Sequence, residues 1–157
     1  MFLLKVWDEL AAKKVDCALA GGYAVALHGA VRGTLDIDLV LKATAANFAA
    51  AERALRSLGL ESRLPIDASE AFSFRFEYVE KRNLIAWSFV NPRDGTEIVD
   101  LLLPYDLGRM KTKSIVFQNR KLRILSLEEL IKMKSQAGRK QDLEDVRALK
   151  ALKGARP

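Results

Sequence analysis

At 157 residues, half of them hydrophobic, the chain has the length and apolar content for one domain with a real core. It carries no run of eighteen apolar residues, which argues against a membrane span, and its single cysteine, Cys17, excludes an internal disulfide and fits a reducing cytoplasm. The net charge of +6, from 26 basic and 20 acidic residues, permits an anionic partner such as a nucleotide or RNA without requiring one.

Met1 to Leu4 is apolar, but Lys5, Asp8 and Glu9 follow at once, so this is too short for a secretion signal. Leu3, Leu4, Trp7, Leu10 and Ala11 recur at helical spacing and predict a helix over 2–14. Cys17–Ala20 reads as a buried strand that turns at Gly21-Gly22 into a second helix, Tyr23 to about Ala30, ended by Gly29. Leu35–Lys42 reads as a strand with Asp36 and Asp38 on one face and Leu35, Ile37 and Leu39 on the other. Thr44 is the expected N-cap of an Ala-rich helix over 45–58, closed by Gly59.

Phe72, Phe74, Phe76 and Tyr78 alternate with polar residues, a period of two that predicts a half-buried strand. A turn at Lys81-Arg82-Asn83 leads to a strand over Leu84–Val90. Pro92-Arg93-Asp94-Gly95 then turns the chain into a strand over Glu97–Leu103, closed by Pro104. The basic segment 105–113 carries no clear pattern. Ile115–Phe117 and Leu122–Leu125 predict a small hairpin. Ser126 with Glu129 makes a capping box for a helix through Ala137, and a last helix over 141–152 should turn Leu143, Val146, Leu149 and Leu152 inward. Trp7, Trp87, Cys17 and the 72–78 aromatics read as core, and His28 as a packing histidine.

The chemistry concentrates in three carboxylates. Asp36 and Asp38, two apart on a strand, project into the same space, and two like charges that close need a compensating cation. Asp100 stands in the otherwise apolar run Glu97-Ile-Val-Asp-Leu-Leu-Leu, a costly place unless it is paired or bound to metal. Carboxylate oxygens are hard ligands, so the ion expected is Mg²⁺ or Mn²⁺ rather than zinc. Gly21-Gly22 lets backbone amides approach a phosphate at a helix start, and Arg32 and Thr34 add donors on the way into the strand.

Gly-Gly at 21–22, Asp-Ile-Asp at 36–38 and a later hydrophobic-Asp-hydrophobic at 100 resemble the signature of the DNA polymerase β-like nucleotidyltransferases. The Arg-x-Thr-x-Asp-x-Asp run at 32–38 looks more like the small bacterial branch that includes AbiEii/AbiGii-type toxins. Lys134, Arg139, Asp142 and Asp145 resemble a Lys, Arg, Asp-x-x-Asp element of the same relatives.

The resemblance implies an α+β fold with a mixed sheet flanked by helices, the catalytic sheet lying at about 16–104 and a helical element at about 126–152. It further implies that Asp36, Asp38 and Asp100 hold two metals, with Asp100 accepting the nucleophile's proton. Gly21, Gly22, Arg32, Thr34, Lys134 and Arg139 would bind the nucleotide, with Asp142 orienting one of the two cations. The substrate would be an NTP, and the acceptor a tRNA, a protein or a small molecule such as an antibiotic, with an antitoxin as a further partner. One departure is the second glycine, Gly22, where the family commonly has serine. A catalytically inactive nucleotide-binding or antitoxin-like module, and an interaction protein with a merely acidic sheet face, are the competing readings.

Overall fold

The computed structural model describes residues 1–30 and 33–155. Helix α1 (Phe2–Ala12) buries Leu3, Leu4, Val6 and Leu10, while Trp7 is only half-buried. Strand β1 (Cys17–Ala20) is buried throughout and runs directly into helix α2 (Gly21–Leu27). That helix therefore begins two residues earlier than the glycine pair suggests, and Gly29, at φ +112°, follows its end. His28 is buried with its Nε2 2.7 Å from the carbonyl oxygen of Leu125, which is the packing role expected of it.

Strand β2 (Ile37–Leu41) is shorter than predicted and leaves Asp36 just outside it. Helix α3 (Ala45–Ser57) is capped by Thr44, whose hydroxyl accepts from the amide of Asn47. After the two-residue strand β3 (Glu61–Ser62), the expected strand over 72–78 is absent. In its place stand helices α4 (Ala68–Ser73) and α5 (Arg75–Arg82), broken at Phe74.

The signal for α4 was Asp67-Ala-Ser-Glu70, an N-cap in which the Asp67 carboxylate accepts from the Glu70 amide. The period-two aromatics had another cause. The Arg75 guanidinium lies 4.3 Å from the ring centroid of Phe72 and 4.4 Å from that of Phe76, while Phe72 packs edge-on against Phe48. Phe74 and Phe76 remain exposed, so this stripe is only partly core.

Strands β4 (Ala86–Asn91) and β5 (Asp94–Leu102) form a hairpin around Pro92-Arg93. The basic segment holds a 3-10 turn at Leu107–Arg109, and β6 (Thr112–Phe117) and β7 (Arg120–Leu125) form the expected hairpin. Helix α6 (Leu127–Ala137) starts at the predicted cap, where Ser126 accepts from the Glu129 amide, and α7 (Lys140–Ala155) packs on it. In α7, Val146 and Leu149 are buried as expected, but Leu143 is exposed, and Asp142 and Asp145 turn inward. A buried lysine on α6 accounts for that inversion.

The seven strands form one mixed sheet in the order β3-β4-β5-β2-β1-β7-β6. β2 is central, antiparallel to β1 and parallel to β5. Trp87 and Phe89 on β4 are fully buried with ring centroids 4.7 Å apart, and the Trp87 indole donates to the Ser62 hydroxyl at 2.8 Å. Among the described residues no helix is long and apolar enough to cross a membrane.

Candidate active site

The register of the central strands sets the site. Asp38 on β2 pairs with Asp100 on parallel β5 and with Ala20 on β1, and Ser88 on β4 pairs with Asp100. Residues opposite each other in a sheet share a face, so the two carboxylates stand side by side. Burial, with Asp100 and Asp36 close by, pushes the Asp38 carboxyl up to about 7, against the pull of the Lys134 charge. Burial raises Asp100 too, helped by Asp36 and opposed by the Ser88 hydrogen bond and Arg63. Two carboxyls raised side by side in this way favour a proton held between them. The Ser88 hydroxyl donates to Asp100 Oδ1.

Gly21 closes the other side of Asp38. Its φ is +58°, and a Cβ built there would overlap the Asp38 carboxylate. Only glycine lets the backbone come this close. Gly21→Ala is expected to cost about 1–2 kcal/mol of backbone strain alone, with the displaced Asp38 adding to that. Thermal unfolding and transfer activity should fall together, and an unchanged melting temperature would refute the close approach.

From the opposite wall comes Lys134 on α6. Its ammonium is buried, 2.9 Å from Asp145 Oδ2 and 3.5 Å from Asp142 Oδ1. Gln141 donates to the other Asp145 oxygen at 3.0 Å. Arg139 bonds Asp142 through Nε at 2.7 Å and through its own backbone amide, while most of its side chain stays in solvent. Burial pushes the Asp142 carboxyl up, but the Arg139 hydrogen bond and charge and the Lys134 charge outweigh it and hold it below the usual range. Asp142 thus orients both cations. Gly21, Asp38, Asp100, Lys134 and Arg139 line one cleft of about 230 Å³.

The other expected residues stand differently. Asp36 is exposed, but near enough for its charge to raise both Asp38 and Asp100. Gly22 is buried in α2. Thr34 spends its hydroxyl on the Asp36 carbonyl at 3.4 Å and does not line the cleft. Arg32 lies outside the described residues. Among the described residues no three His, Cys, Asp or Glu side chains are gathered closely enough to hold a metal ion. The Asp38–Asp100 pair, two hard oxygen donors that cannot both ionise unaided, fits a divalent cation of the Mg²⁺ type, and Asp36 would have to move in as the third ligand.

The raised Asp38 carboxyl makes a stability prediction for the metal-free protein. A carboxyl whose folded pKa exceeds its unfolded one favours the fold while it stays protonated, and that support is lost as pH rises. From 3.8 to about 7, at 1.36 kcal/mol per pH unit, the loss is about 4 kcal/mol. Wild type should therefore lose stability between pH 4 and 7 more steeply than Asp38→Asn, and chemical denaturation across that range reads the difference. Parallel curves for the two proteins would refute the raised carboxyl.

The site thus joins a glycine turn to paired aspartates on adjacent central strands of a mixed sheet. Solved structures that share the fold include the three that follow. ANT(2'')-Ia in complex with adenylyl-2''-tobramycin is 16% identical over 98% of this chain and 93% of that one, with a TM-score of 0.62. The lincosamide antibiotic adenylyltransferase LnuA, lincomycin-bound, is 17% identical over 96% of both chains, with a TM-score of 0.64. An antigenic nucleotidyltransferase-like protein from Paracoccidioides brasiliensis is 21% identical over 94% of this chain and 72% of that one, with a TM-score of 0.56. No curated protein matches the chain in sequence. The aminoglycoside-2''-adenylyltransferase family model matches residues 2–149, and the chain belongs to that family.

Proposed function

We propose that the chain transfers an NMP from an NTP to a hydroxyl of a small-molecule acceptor and releases pyrophosphate. The observation that carries this reading is the in-register Asp38–Asp100 pair, set between the Gly21 backbone and the Lys134–Arg139 cations in one cleft. Mg²⁺ or Mn²⁺ held by Asp36, Asp38 and Asp100 would neutralise the triphosphate and favour ionisation of the attacking hydroxyl. The chain's own groups do the rest. Lys134 and Arg139, steadied by Asp142 and Asp145, face the phosphates. Asp100 takes the proton of the acceptor hydroxyl as its oxygen attacks the α-phosphorus and the bond to pyrophosphate breaks. Gly21 keeps the backbone from blocking the approach of the nucleotide.

Membership of the adenylyltransferase family supports a small molecule over a tRNA, a protein or an antitoxin as the partner, and so weakens the toxin-branch reading suggested by residues 32–38. All three carboxylates are intact, which speaks against an inactive module. A cytoplasmic location suits the reduced Cys17, which is buried. The test is incubation with labelled NTPs, Mg²⁺ and a mixed small-molecule extract, comparing wild type with Asp38→Ala. Label should move to an acceptor only with wild type, and equal transfer by the variant would overturn the assignment.

A further inference from the structure

On the Asp100 side, the cleft is walled by the ends of β4 and β5 and by α6. Ile85, Leu102, Pro104, Tyr105 and Met133 make that wall apolar. A second cavity of about 230 Å³ adjoins it across Pro104 and Tyr105 and is further lined by Arg75, Phe76, Asp106 and Arg109. Either space alone is smaller than the ~300–1,000 Å³ that usually holds a small-molecule ligand, whereas the two together reach that range. The phosphates of the nucleotide take the part of the first that lies between Gly21 and Lys134. An acceptor whose hydroxyl reaches Asp100 therefore has its remaining bulk over Tyr105, in the second.

The second cavity has the lining of a binding site rather than of a packing gap. Helix α5 buries none of its residues, and its Phe76 stays 57% exposed at the cavity's edge. Arg75, stacked on Phe72 and Phe76 and bonded to the Phe72 carbonyl, fixes the place of that ring. Tyr105, half-buried, adds a second aromatic surface. The charged groups beside these rings are of both signs. Asp106 accepts the amides of Ala43 and Gly108 on Oδ1, which leaves Oδ2 without a hydrogen bond among the described residues, and Arg109 is exposed. The negative face of an aromatic ring attracts C–H groups, while a carboxylate and a guanidinium beside it serve hydroxyls, amines and acids alike.

We propose that the second cavity is the acceptor subsite, and that it takes a saturated, polyhydroxylated ring with its C–H face on Phe76 and Tyr105 and its polar substituents at Asp106 and Arg109. The selection is by the face of the ring rather than by its charge, since an amine meets Asp106 and an acid meets Arg109. This rests on the nucleotidyl-transfer reading, which makes Asp100 the neighbour of the reacting hydroxyl.

The test is aromatic and amide NMR on the full chain with Mg²⁺ and a non-hydrolysable ATP analogue. Tobramycin and lincomycin, which both carry rings of this kind, are then titrated in turn. At least one is expected to shift the Phe76 and Tyr105 ring signals saturably. Phe76→Ala, at an exposed position, should weaken that ligand about tenfold and leave the affinity for the ATP analogue unchanged. Phe76→Tyr, which keeps the aromatic face, should bind it as wild type does. Three results overturn the proposal. Neither probe moves Phe76, or the saturable shifts fall only on the neighbouring cavity of Glu129, Lys132 and Met133, or the ATP analogue alone moves Phe76, which would make the second cavity the nucleotide's. The nucleotide step is read separately. An ATP analogue that does not perturb the Gly21 amide sinks the nucleotidyl-transfer reading itself, whereas a normal Gly21 response with Phe76 unmoved by either probe sinks only the subsite.

Discussion

Asp100→Asn is expected to lower kcat by about 10²–10⁴, the usual span for loss of a general base. Asparagine has the same shape and its amide oxygen can still accept from Ser88, so the β4–β5 pairing should survive. On the proposed mechanism, what disappears is the proton acceptor for the attacking hydroxyl, together with a negative charge next to Asp38. The second loss relieves repulsion, so the variant should melt no lower than wild type while turning over far more slowly. Its affinity for the NTP without metal should change little, since Lys134 and Arg139 are untouched. Pre-steady-state transfer with labelled NTP separates the chemical step from binding. A fall of less than tenfold in the chemical step would remove Asp100 from the role of base.

Lys134→Met is the second large effect, and it falls on stability. The ammonium is buried between two buried carboxylates, at 2.9 Å from Asp145 and 3.5 Å from Asp142. Removing one partner of such a cluster leaves uncompensated charge in a poorly solvated place and costs about 3–5 kcal/mol. Arg139 still holds Asp142 and Gln141 still touches Asp145, which favours the lower end. For a chain of this size the melting temperature should fall by roughly 6–12 °C. Adding Asp142→Asn and Asp145→Asn to the same protein should restore most of that loss without restoring transfer. A fall below about 2 °C for the single variant would mean that the cluster does not hold α6 and α7 together.

How far the site could be read from residues alone varied with the kind of signal. Asp36, Asp38 and Asp100 stood out because each interrupts an apolar strand pattern, and the strands bearing Asp38 and Asp100 did prove to be neighbours. Their exact register, which places Asp38 opposite Asp100 and leaves Asp36 beyond the strand, is a property of strand pairing that no single segment encodes. The Ser126 cap, the Thr44 cap and the β6–β7 hairpin are local devices and were legible as such.

The failures are non-local. Aromatics at alternate positions over 72–78 imitate a strand, yet they serve a guanidinium stack on two short helices. The resemblance implied that Asp142 orients a cation, but helical periodicity did not reveal Asp142 and Asp145 as an inward face, because their burial depends on Lys134 arriving from another helix. Leu143 was displaced outward by the same arrangement. The apolar wall of Ile85, Tyr105 and Met133 comes from three separate segments and had no signature at all.

The central claim is that Asp38 and Asp100 form a divalent-cation site for a bound nucleotide. Titration of Mn²⁺ into the protein with a non-hydrolysable NTP analogue, followed by electron paramagnetic resonance, tests it most directly. Wild type should take up the ion with an affinity that rises from pH 6 to pH 8, as the cation displaces the proton shared by the pair, and Asp38→Asn should bind at least about tenfold more weakly. Equal uptake by the two proteins at both pH values would contradict the account.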